Sequence, residues 1–379
     1  MATLICVSVS EAQALGLLED GPRRDFLEMA KAVDGRMLYA STTRGKGLLG
    51  RVLGPHVRQA LRASKEVRPG DTCFTDGEHV ALPLLFLLWV RRKHSVKVVS
   101  LAHFVDRWWK LQLIRMCSRL VPRATLVVHS AAQFAVARKA ASRSWNVVLV
   151  PYQVDTDFWR ADRGSSRCST ILAVGSENRD YDTLIRAVEE LPATVIIAAG
   201  SHWARHPARI ESPNSKVRYL ENPLPFAALR DHYREAAIVV VPLHDVTNQS
   251  GVTVILEAMS MGKAVVVTAT RGQQECIEGP LTRGDGTVSR TATSERGPGF
   301  FGDVTVGDPT GAYVSPGDVL SLRAALTRLL DDPSLCEEMG MAAREAAVRH
   351  FTLERYVSTM AALMGSGESP NGAIAGSPR

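Results

Sequence analysis

The sequence predicts an α/β protein of two Rossmann-like domains that face each other across a cleft. Short apolar runs rich in Val and Ile alternate with longer segments of helical periodicity along the chain, a pattern typical of parallel sheets covered by helices. A chain of 379 residues is too long for one ordinary domain and about right for two. The alternation forms two successive series, so we expect one sheet in each domain.

The expected strands are short and the expected helices are longer. In the first series we expect strands at Leu4–Val9, Arg36–Tyr39, Thr72–Thr75, Val96–Ser100, Thr125–His129 and Val147–Pro151, and helices such as Arg24–Val33 and Trp108–Arg119. In the second series we expect strands at Ser169–Val174, Thr194–Ala199, Val217–Leu220, Ile238–Pro242 and Ala264–Thr268. Helices in that series are expected at Tyr181–Glu190, Phe226–Glu235, Thr253–Met261, Leu320–Leu330 and Pro333–Phe351.

Polar segments set the expected domain limits. The break is expected in the polar stretch 158–169, which gives an N-terminal domain over 1–160 and a C-terminal domain over 165–350. Pro280–Asp303 is rich in Gly, Thr, Ser and Arg and predicts a mobile surface insertion. The Gly/Ser/Pro-rich segment 365–379 predicts a disordered tail.

Composition excludes several protein classes. A hydrophobic fraction of 45% and a charged fraction of 22% fit a globular protein and exclude wholesale disorder and a polytopic membrane protein. The net charge of +6 suits a phosphate-bearing partner. No basic run with interleaved aromatic residues is present, so nucleic-acid binding is not predicted. The six cysteines form no C-x-x-C pair, which favours a reduced, cytoplasmic protein without a zinc site.

The N-terminus and one apolar segment bear on membranes. No basic region precedes the first apolar run, so the N-terminus predicts a strand and not a signal peptide. The most apolar stretch, Ala81–Val90, is about half of the ~20 residues that a membrane span needs. It predicts a buried helix. The alternative is a helix at a membrane surface, which Trp108 and Trp109 nearby keep open.

Several enzyme motifs are absent from the sequence. It contains no G-x-x-x-x-G-K-[ST] phosphate loop, no G-x-G-x-x-G after the first strand and no G-x-S-x-G elbow. These absences disfavour a P-loop NTPase, an NAD(P) dehydrogenase and an α/β-hydrolase. The triplet Asp155-Thr156-Asp157 is a weak metal-binding pattern, and no metal site is predicted there.

The most informative segment is VVVPLHDVTNQSGVTVILEAMSMGKAVVVT, residues 239–268. A strand ends at Pro242, Ser250 is expected to cap the helix that follows, and Gly251 lets a ligand approach the backbone. The free amides of residues 251–253 and the positive end of the helix dipole would form a diphosphate site. Glu257, in the next turn, would accept bonds from a ribose diol. The alternative is a buried βαβ unit with a solvent-facing Glu.

This segment resembles the donor-binding segment of the family-4 retaining glycosyltransferases, which have the GT-B fold. The family has two Glu residues separated by seven others, and here the pair reads Gln249 and Glu257, followed by AMSMGKAVVVT. Further matches follow in the family's order, at Val150–Phe158, Ala173–Gly175, Arg179–Tyr181, Thr183–Ile185, Asp231–Ala236, Val239–Pro242, Gly272, Glu275, Gly311–Asp318 and Phe351–Thr352. The resemblance covers nearly the whole second half and is loose in the first. It implies that the final helix, 352–364, returns to the N-terminal domain.

The resemblance implies roles for matched residues. Glu257 would hold the nucleotide ribose, and Gln249 stands where the family has a Glu that binds donor-sugar hydroxyls. His103 matches a His near the anomeric carbon. The implied donor-binding residues are Arg179, Ser250, Gly251, Val252, Thr253, Glu257 and Lys263, of which Arg179 and Lys263 would meet leaving-group charge.

The implied activity is retaining, metal-independent transfer of a sugar from a UDP- or GDP-linked donor to an unidentified acceptor hydroxyl, without a further cofactor. The implied location is cytoplasmic, with peripheral contact at the inner membrane face as the alternative. Neutral Gln249 in place of a carboxylate, and Ser176 where the family often has Arg, leave open a weakened nucleotide-sugar-binding relative. A nucleotide-sugar epimerase or phosphorylase on the same fold is the other alternative.

Overall fold

The structure is a computed structural model of two compact units. It describes residues 1–16, 21–40, 54–103, 107–121, 123–160, 169–200, 216–220, 223–273, 276–277, 281–282, 288–289, 309–365 and 374–375. The first unit comprises Met1–Glu19, Arg23–Val150 and Glu354–Arg379, and the second comprises Pro151–Leu353 with Asp20–Pro22.

Each unit is built on one mainly parallel sheet. The strands of the first unit are β1 (Thr3–Val7), β2 (Arg36–Tyr39), β3 (Thr72–Thr75), β4 (Lys97–Leu101), β5 (Ala124–Val128) and β6 (Asn146–Leu149). Those of the second are β7 (Thr170–Val174), β8 (Thr194–Ala198), β9 (Val217–Leu220), β10 (Ile238–Val241), β11 (Ala264–Thr268), β12 (Leu281–Thr282), β13 (Val288–Ser289) and β14 (Ala312–Val314). A last strand, β15 (Ile374–Ala375), joins the first sheet.

Helices connect the strands of both sheets. In the first unit they are α1 (Glu11–Gly16), α2 (Asp25–Ala32), α3 (Pro55–Glu66), α4 (Glu78–Val90), α5 (Trp108–Leu120) and α6 (Ala131–Ala140). In the second they are α7 (Tyr181–Val188), α8 (Phe226–Glu235), α9 (Val252–Ser260), α10 (Val319–Asp331) and α11 (Pro333–His350), and α12 (Leu353–Met364) follows. None of the helices described is long and apolar enough to cross a membrane.

The strand order of each sheet places a reversal near its middle. The parallel strands of the first sheet run β2-β1-β3-β4-β5-β6, and β15 pairs antiparallel with β6. The second runs β9-β8-β7-β10-β11-β14-β12, and β13 pairs antiparallel with β12. The order of chain connection reverses between β1 and β3 in one sheet and between β7 and β10 in the other. Ligands of such sheets bind beyond the carboxyl ends of the strands at this reversal.

The final helix packs on the sheet of the first unit. Tyr356, Met360 and Met364 of α12 are buried in one apolar cluster with Ile5 and Phe74, among other strand residues. The hydroxyl of Thr72 donates to the carbonyl of Met364 at 3.1 Å. The end of the chain therefore completes the core of the unit in which the chain begins.

The passage into the second unit comes earlier than the break expected at 158–169. Trp159 is 2% exposed and belongs to the core of the second unit. Its carbonyl accepts from the hydroxyl of Ser260 at 2.7 Å and from Arg344 Nη1 at 2.9 Å. These bonds fix the segment after Val150 to the second unit. The expected N-terminal domain, 1–160, therefore ends about ten residues too late.

Two segments expected to lack regular structure carry short strands. Within 280–303, β12 pairs with β14 and β13 pairs with β12, so parts of this expected mobile insertion extend the sheet edge. The other residues of that segment lie outside the described ones. In the tail, the expectation of disorder does not extend to β15, while 366–373 and 376–379 lie outside the described residues.

A buried ion pair joins the first turns of α4 and α5. Lys110 Nζ donates to Glu78 Oε1, and the side chain of Glu78 is 1% exposed. Burial raises the pKa of Glu78, but the bonds from Lys110 and from the amide of His103 lower it further, so the pKa lies below its usual value. The carboxylate is therefore charged, and the ammonium of Lys110 compensates its burial.

We expect Lys110→Met to lower the free energy of unfolding by about 3 kcal/mol, because it leaves a buried carboxylate without its cation. Arg36→Met, which breaks the exposed pair between Arg36 and Glu66, should cost about 0.5 kcal/mol. Urea unfolding of both variants measures the difference. The pair stabilises the fold above the unfolded pKa of Glu78, so the larger cost should shrink below about pH 4. Equal costs at pH 7 would contradict the assignment.

Candidate active site

The candidate site lies in the second unit, where the loops after β7 and β10 meet. The amide of Asp180 donates to the carbonyl of Pro242 at 3.1 Å, and the amide of His244 donates to the carbonyl of Asn178 at 3.0 Å. Asn178 has a φ of 53°, a left-handed conformation that Asn adopts more readily than most residues. These bonds fix the two loops to each other at the strand reversal.

Gly251 begins helix α9 at this edge. Its φ is 83°, and an added Cβ would lie 2.7 Å from Cγ1 of Val241, so only glycine fits without strain. The amides of Gly251, Thr253 and Val254 have no acceptor among the described residues. They are therefore open to a ligand, together with the positive end of the helix dipole.

Ser250 does not cap this helix as the sequence predicted. Gly251 is the N-cap residue and no side chain bonds to the first turn. The hydroxyl of Ser250 instead accepts from Asn178 Nδ2 at 2.8 Å and donates to Asn248 Oδ1 at 3.1 Å. The left-handed turn at Gly251 directs the Ser250 side chain away from the helix amides, and the hydroxyl joins the two loops instead.

Arg179 places a buried positive charge between the two loops. Its Nε donates to the carbonyl of Val174 at 2.9 Å, and its Nη1 donates to the carbonyl of Glu177 at 2.7 Å. A Cβ added to Gly175 would lie 2.7 Å from Nη2 of Arg179, and a Cβ added to Gly251 would lie 3.4 Å from Nη1 of Arg179. Among the described residues no carboxylate lies within 4.0 Å of this guanidinium. Burial lowers the pKa of Arg179, and an anion beside it would supply the missing countercharge.

Two further polar side chains belong to these loops: Ser176 precedes Arg179 by three residues in the loop after β7, and Gln273 contacts Ser250. The hydroxyl of Ser176 is buried and has no hydrogen-bond partner in the part of the chain that is described. Gln273 is 1% exposed and donates from Nε2 to the carbonyl of Ser250 at 2.9 Å. No role was predicted for Gln273 from the sequence, although Gly272 before it matches the family pattern. Its contact with Ser250 spans 23 residues, which no local pattern reveals.

Glu257 lies on the same helix, about 9 Å along its axis from Gly251, and its side chain is buried. The hydroxyl of Tyr233, on α8, donates to its Oε2 at 2.8 Å. Burial and the neighbouring Glu257 raise the pKa of Tyr233 well above its usual value, so the phenol stays protonated and remains a donor. The structure thus corrects the alternative of a solvent-facing Glu257: this carboxylate is held in a fixed orientation.

Gln249 completes the loop that leads into the helix. The side chain of Gln249 is half-buried, and the backbone carbonyl of Gln249 accepts from the amide of Val252 at 3.4 Å. The amide of Val252, which was expected to bind the donor, is therefore not open. The structure therefore brings Arg179, Gln249, Ser250 and the first turn of α9 to one edge of the sheet, with Glu257 further along the same helix.

Lys263 does not belong to this edge, which corrects the expectation that it contacts the donor. It follows the carboxyl end of α9 and directly precedes β11, so the nine residues of α9, about 14 Å in length, separate it from Gly251. Its Nζ donates to the carbonyl of Arg234 at 2.8 Å, in the last turn of α8. Burial lowers the pKa of Lys263 to about 8. Its charge stabilises a helix end.

His103 lies in the first unit, just after β4. Its amide donates to Glu78 Oε2 at 3.0 Å, and its Nε2 lies 3.0 Å from the carbonyl oxygen of Asp76. Beside it, the Ser8 hydroxyl lies 2.7 Å from Asp76 Oδ1 and 2.6 Å from His79 Nε2. Burial raises the pKa of Asp76, and the bonds from Ser8 partly offset this. No local sequence pattern indicates this cluster, because β1 and β3 lie far apart along the chain.

No group of three or more His, Cys, Asp or Glu side chains in the described ranges is arranged to hold a metal ion. At the triplet that resembles a metal motif, Asp155 Oδ1 accepts from the amides of Asp157 at 3.2 Å and Phe158 at 3.4 Å. This carboxylate therefore stabilises a turn.

Comparison with known proteins relates the second unit to a sequence family. Residues 168–332 match the sequence model of the family described as Glycosyl transferases group 1. D-inositol 3-phosphate glycosyltransferase of Kineococcus radiotolerans is 36% identical over 141 residues, which are 35% of this chain. That alignment spans only 27% of the relative's own length.

Solved structures resemble nearly the whole chain at low sequence identity. HepE of Anabaena in complex with UDP-glucose has a TM-score of 0.66 at 13% identity and covers 97% of this chain and 100% of its own. Sucrose-phosphate synthase of Thermosynechococcus elongatus has a TM-score of 0.64 at 15% identity and covers 96% and 98%. Trehalose-6-phosphate synthase OtsA has a TM-score of 0.62 at 12% identity and covers 97% and 100%. These similarities confirm the expected GT-B fold.

We expect Gly251→Ala to lower the free energy of unfolding by about 3 kcal/mol, because it adds a contact with Val241 to the strain of a left-handed φ. Gly317→Ala is the matched control: its φ is 69°, but an added Cβ meets nothing within 4 Å, so about 1 kcal/mol is expected. Urea unfolding measures both. Equal costs would show that the chain does not pack closely around Gly251.

Proposed function

We propose that the chain transfers a sugar from a nucleotide-diphosphate donor to an acceptor hydroxyl, and the match of residues 168–332 to the sequence model of the glycosyl transferases group 1 family supports this proposal. One observation carries the proposal: the buried guanidinium of Arg179 has no carboxylate partner among the described residues and lies beside the open amides of α9. This arrangement suits the pyrophosphate of a nucleotide sugar, which carries two negative charges.

The donor would occupy the edge from Arg179 to Glu257. The forked donors of Arg179 and the amides of Gly251 and Thr253 would bind phosphate oxygens. Glu257, oriented by Tyr233, would accept from the ribose diol. Fixed donors of this kind stabilise the charge that develops on the leaving diphosphate, by about 3 kcal/mol for each good contact.

The chemistry of relatives suggests which donor and acceptor to test first. HepE of Anabaena is described in complex with UDP and with UDP-glucose, and the Kineococcus relative is named D-inositol 3-phosphate glycosyltransferase. We therefore propose a UDP-sugar as donor, with a GDP-sugar as the second choice. A hydroxyl of a polyol or sugar is the proposed acceptor class.

We propose that transfer retains the anomeric configuration and needs no metal ion. The positive charge of Arg179 and the amides at the start of α9 support metal independence, because they would neutralise the diphosphate without a metal ion. Gln249 offers a neutral amide that both accepts and donates hydrogen bonds. It would therefore bind a sugar hydroxyl more weakly than the carboxylate that the sequence pattern leads one to expect.

We expect Arg179→Met to weaken UDP binding about a hundredfold, because it removes the buried cation next to the pyrophosphate. Arg179→Lys should restore part of the affinity, since it keeps the charge and loses the fork. Thermal unfolding with and without UDP measures this, because a ligand that binds the folded state raises the melting temperature. The control is Arg186→Met, an exposed arginine on α7, which should leave the UDP-induced shift unchanged. Wild-type affinity in Arg179→Met would contradict the donor site.

We expect wild-type protein with UDP-glucose and a panel of polyol and sugar acceptors, inositol 3-phosphate included, to form an α-linked product in EDTA. NMR of the product reads the anomer. Glu257→Ala should lower kcat/KM about a hundredfold, because the ribose loses its carboxylate. A β-linked product would exclude retention. Loss of activity in EDTA would exclude metal independence.

Incubation with the donor alone separates the enzymatic alternatives. An epimerase converts UDP-glucose without acceptor, a phosphorylase consumes it only with inorganic pyrophosphate or phosphate, and a transferase leaves it nearly intact. UDP binding without transfer to any acceptor would instead favour a weakened binding relative.

A further inference from the structure

Two neighbouring helices of the first unit expose large apolar side chains to solvent. On α4 these are Phe86, Trp89 and Val90, and on α5 they are Trp108, Trp109 and Met116. Trp108 is 75% exposed. These six residues form what we call the tryptophan face. The described part of the chain exposes ten large apolar side chains, so more than half of them lie on these two helices.

Helix α4 is apolar on nearly all sides. Leu84, Leu85 and Leu88 are buried, while Phe86 and Trp89 remain outside with their rings 5.9 Å apart. A helix at the surface of a water-soluble domain normally presents polar residues outward. Two aromatic rings in contact on the outer side of α4 therefore need another explanation than the core of this unit.

Positive charge is concentrated in the same part of the chain. Residues 78–123 contain nine Lys or Arg and two Asp or Glu, a formal excess of seven positive charges, whereas the whole chain has +6. The arginines exposed in this segment are Arg91, Arg92, Arg107, Arg115, Arg119 and Arg123. None of them has a carboxylate partner among the described residues. Outside residues 78–123, the formal charge of the chain is close to zero.

The two helices place aromatic and basic residues on neighbouring elements, with Trp108 and Trp109 in the first turn of α5 and the aromatic residues of α4 about 15 Å further along, in its last turns. Because α4 and α5 follow successive parallel strands, β3 and β4, in right-handed crossovers, they lie side by side on one side of the sheet. The buried pair of Glu78 and Lys110 joins their first turns. Arg91 and Arg92 follow the exposed end of α4, while Arg115 and Arg119 lie along the outer side of α5.

We propose that the tryptophan face docks on a membrane surface that contains anionic lipid. Indole rings favour the headgroup level of a bilayer, and arginines are attracted to anionic headgroups. Charge argues against a second copy of this chain as the occupant, since a two-fold contact through this face would oppose two strongly positive surfaces. The proposal does not depend on sugar transfer, and its test uses none.

Vesicle sedimentation tests the proposal on the full chain. At about 0.15 M salt we expect binding to vesicles with about 30% phosphatidylglycerol in phosphatidylcholine, and little binding to phosphatidylcholine alone. The double variant Trp108→Ser/Trp109→Ser should bind about tenfold more weakly. Arg91→Glu/Arg92→Glu should bind more weakly still, because each lost positive charge costs about fivefold.

The matched control is Leu320→Ser/Met341→Ser, which removes two exposed apolar side chains from the second unit and should bind like wild type. Circular dichroism checks that every variant is folded. Three results would overturn the proposal: wild-type protein that stays in the supernatant with anionic vesicles, tryptophan and arginine variants that bind vesicles as well as wild type, or a control variant that loses as much vesicle binding as they do. A dimer in solution that the tryptophan substitutions dissociate would assign the face to a second copy instead.

Discussion

The buried guanidinium of Arg179 is the feature on which the geometry of the second unit's site depends. Moving a charge out of water costs several kcal/mol unless polar groups or a countercharge compensate it. The carbonyls of Val174 and Glu177 compensate part of this cost, and no carboxylate among the described residues adds to them. The site is therefore prepared for an anion, and glycines at 175 and 251 leave the guanidinium room between the two loops.

Hydrogen bonds among three loops hold that geometry in place. The loops after β7, β10 and β11 are joined by Asn178, Ser250 and Gln273, and the amide of Gly272 donates to the carbonyl of Val246. An added Cβ at Gly272 would lie 2.1 Å from the carbonyl oxygen of Asn248. The loops at the candidate site are thus packed closely against each other, which fixes the orientation of their hydrogen-bond donors.

The first unit shows a different division of charge and apolar surface. Inside it, Glu78 and Lys110 neutralise each other, and the polar cluster around Asp76 is hydrogen-bonded. Outside, aromatic rings and arginines without a carboxylate partner in the described part of the chain share the surface of α4 and α5. The net positive charge of the chain is concentrated in this one segment, residues 78–123. Solubility alone does not require such a concentration, because evenly distributed charge would serve it equally well.

The sequence alone determined the fold. Apolar periodicity is a local property, so it placed strands such as Arg36–Tyr39 and Ala264–Thr268 at the residues where the structure has them. The helix that carries Glu257 was expected at Thr253–Met261 and lies one residue earlier, at Val252–Ser260. Tertiary structure decided what depends on distant partners: the bond from Tyr233 to Glu257, the role of Gln273, the position of Lys263 at the far end of α9, and the cluster of Ser8 with Asp76. Spacing along a chain does not specify which strands become neighbours or which side chains meet beyond their ends, because packing between elements sets those contacts.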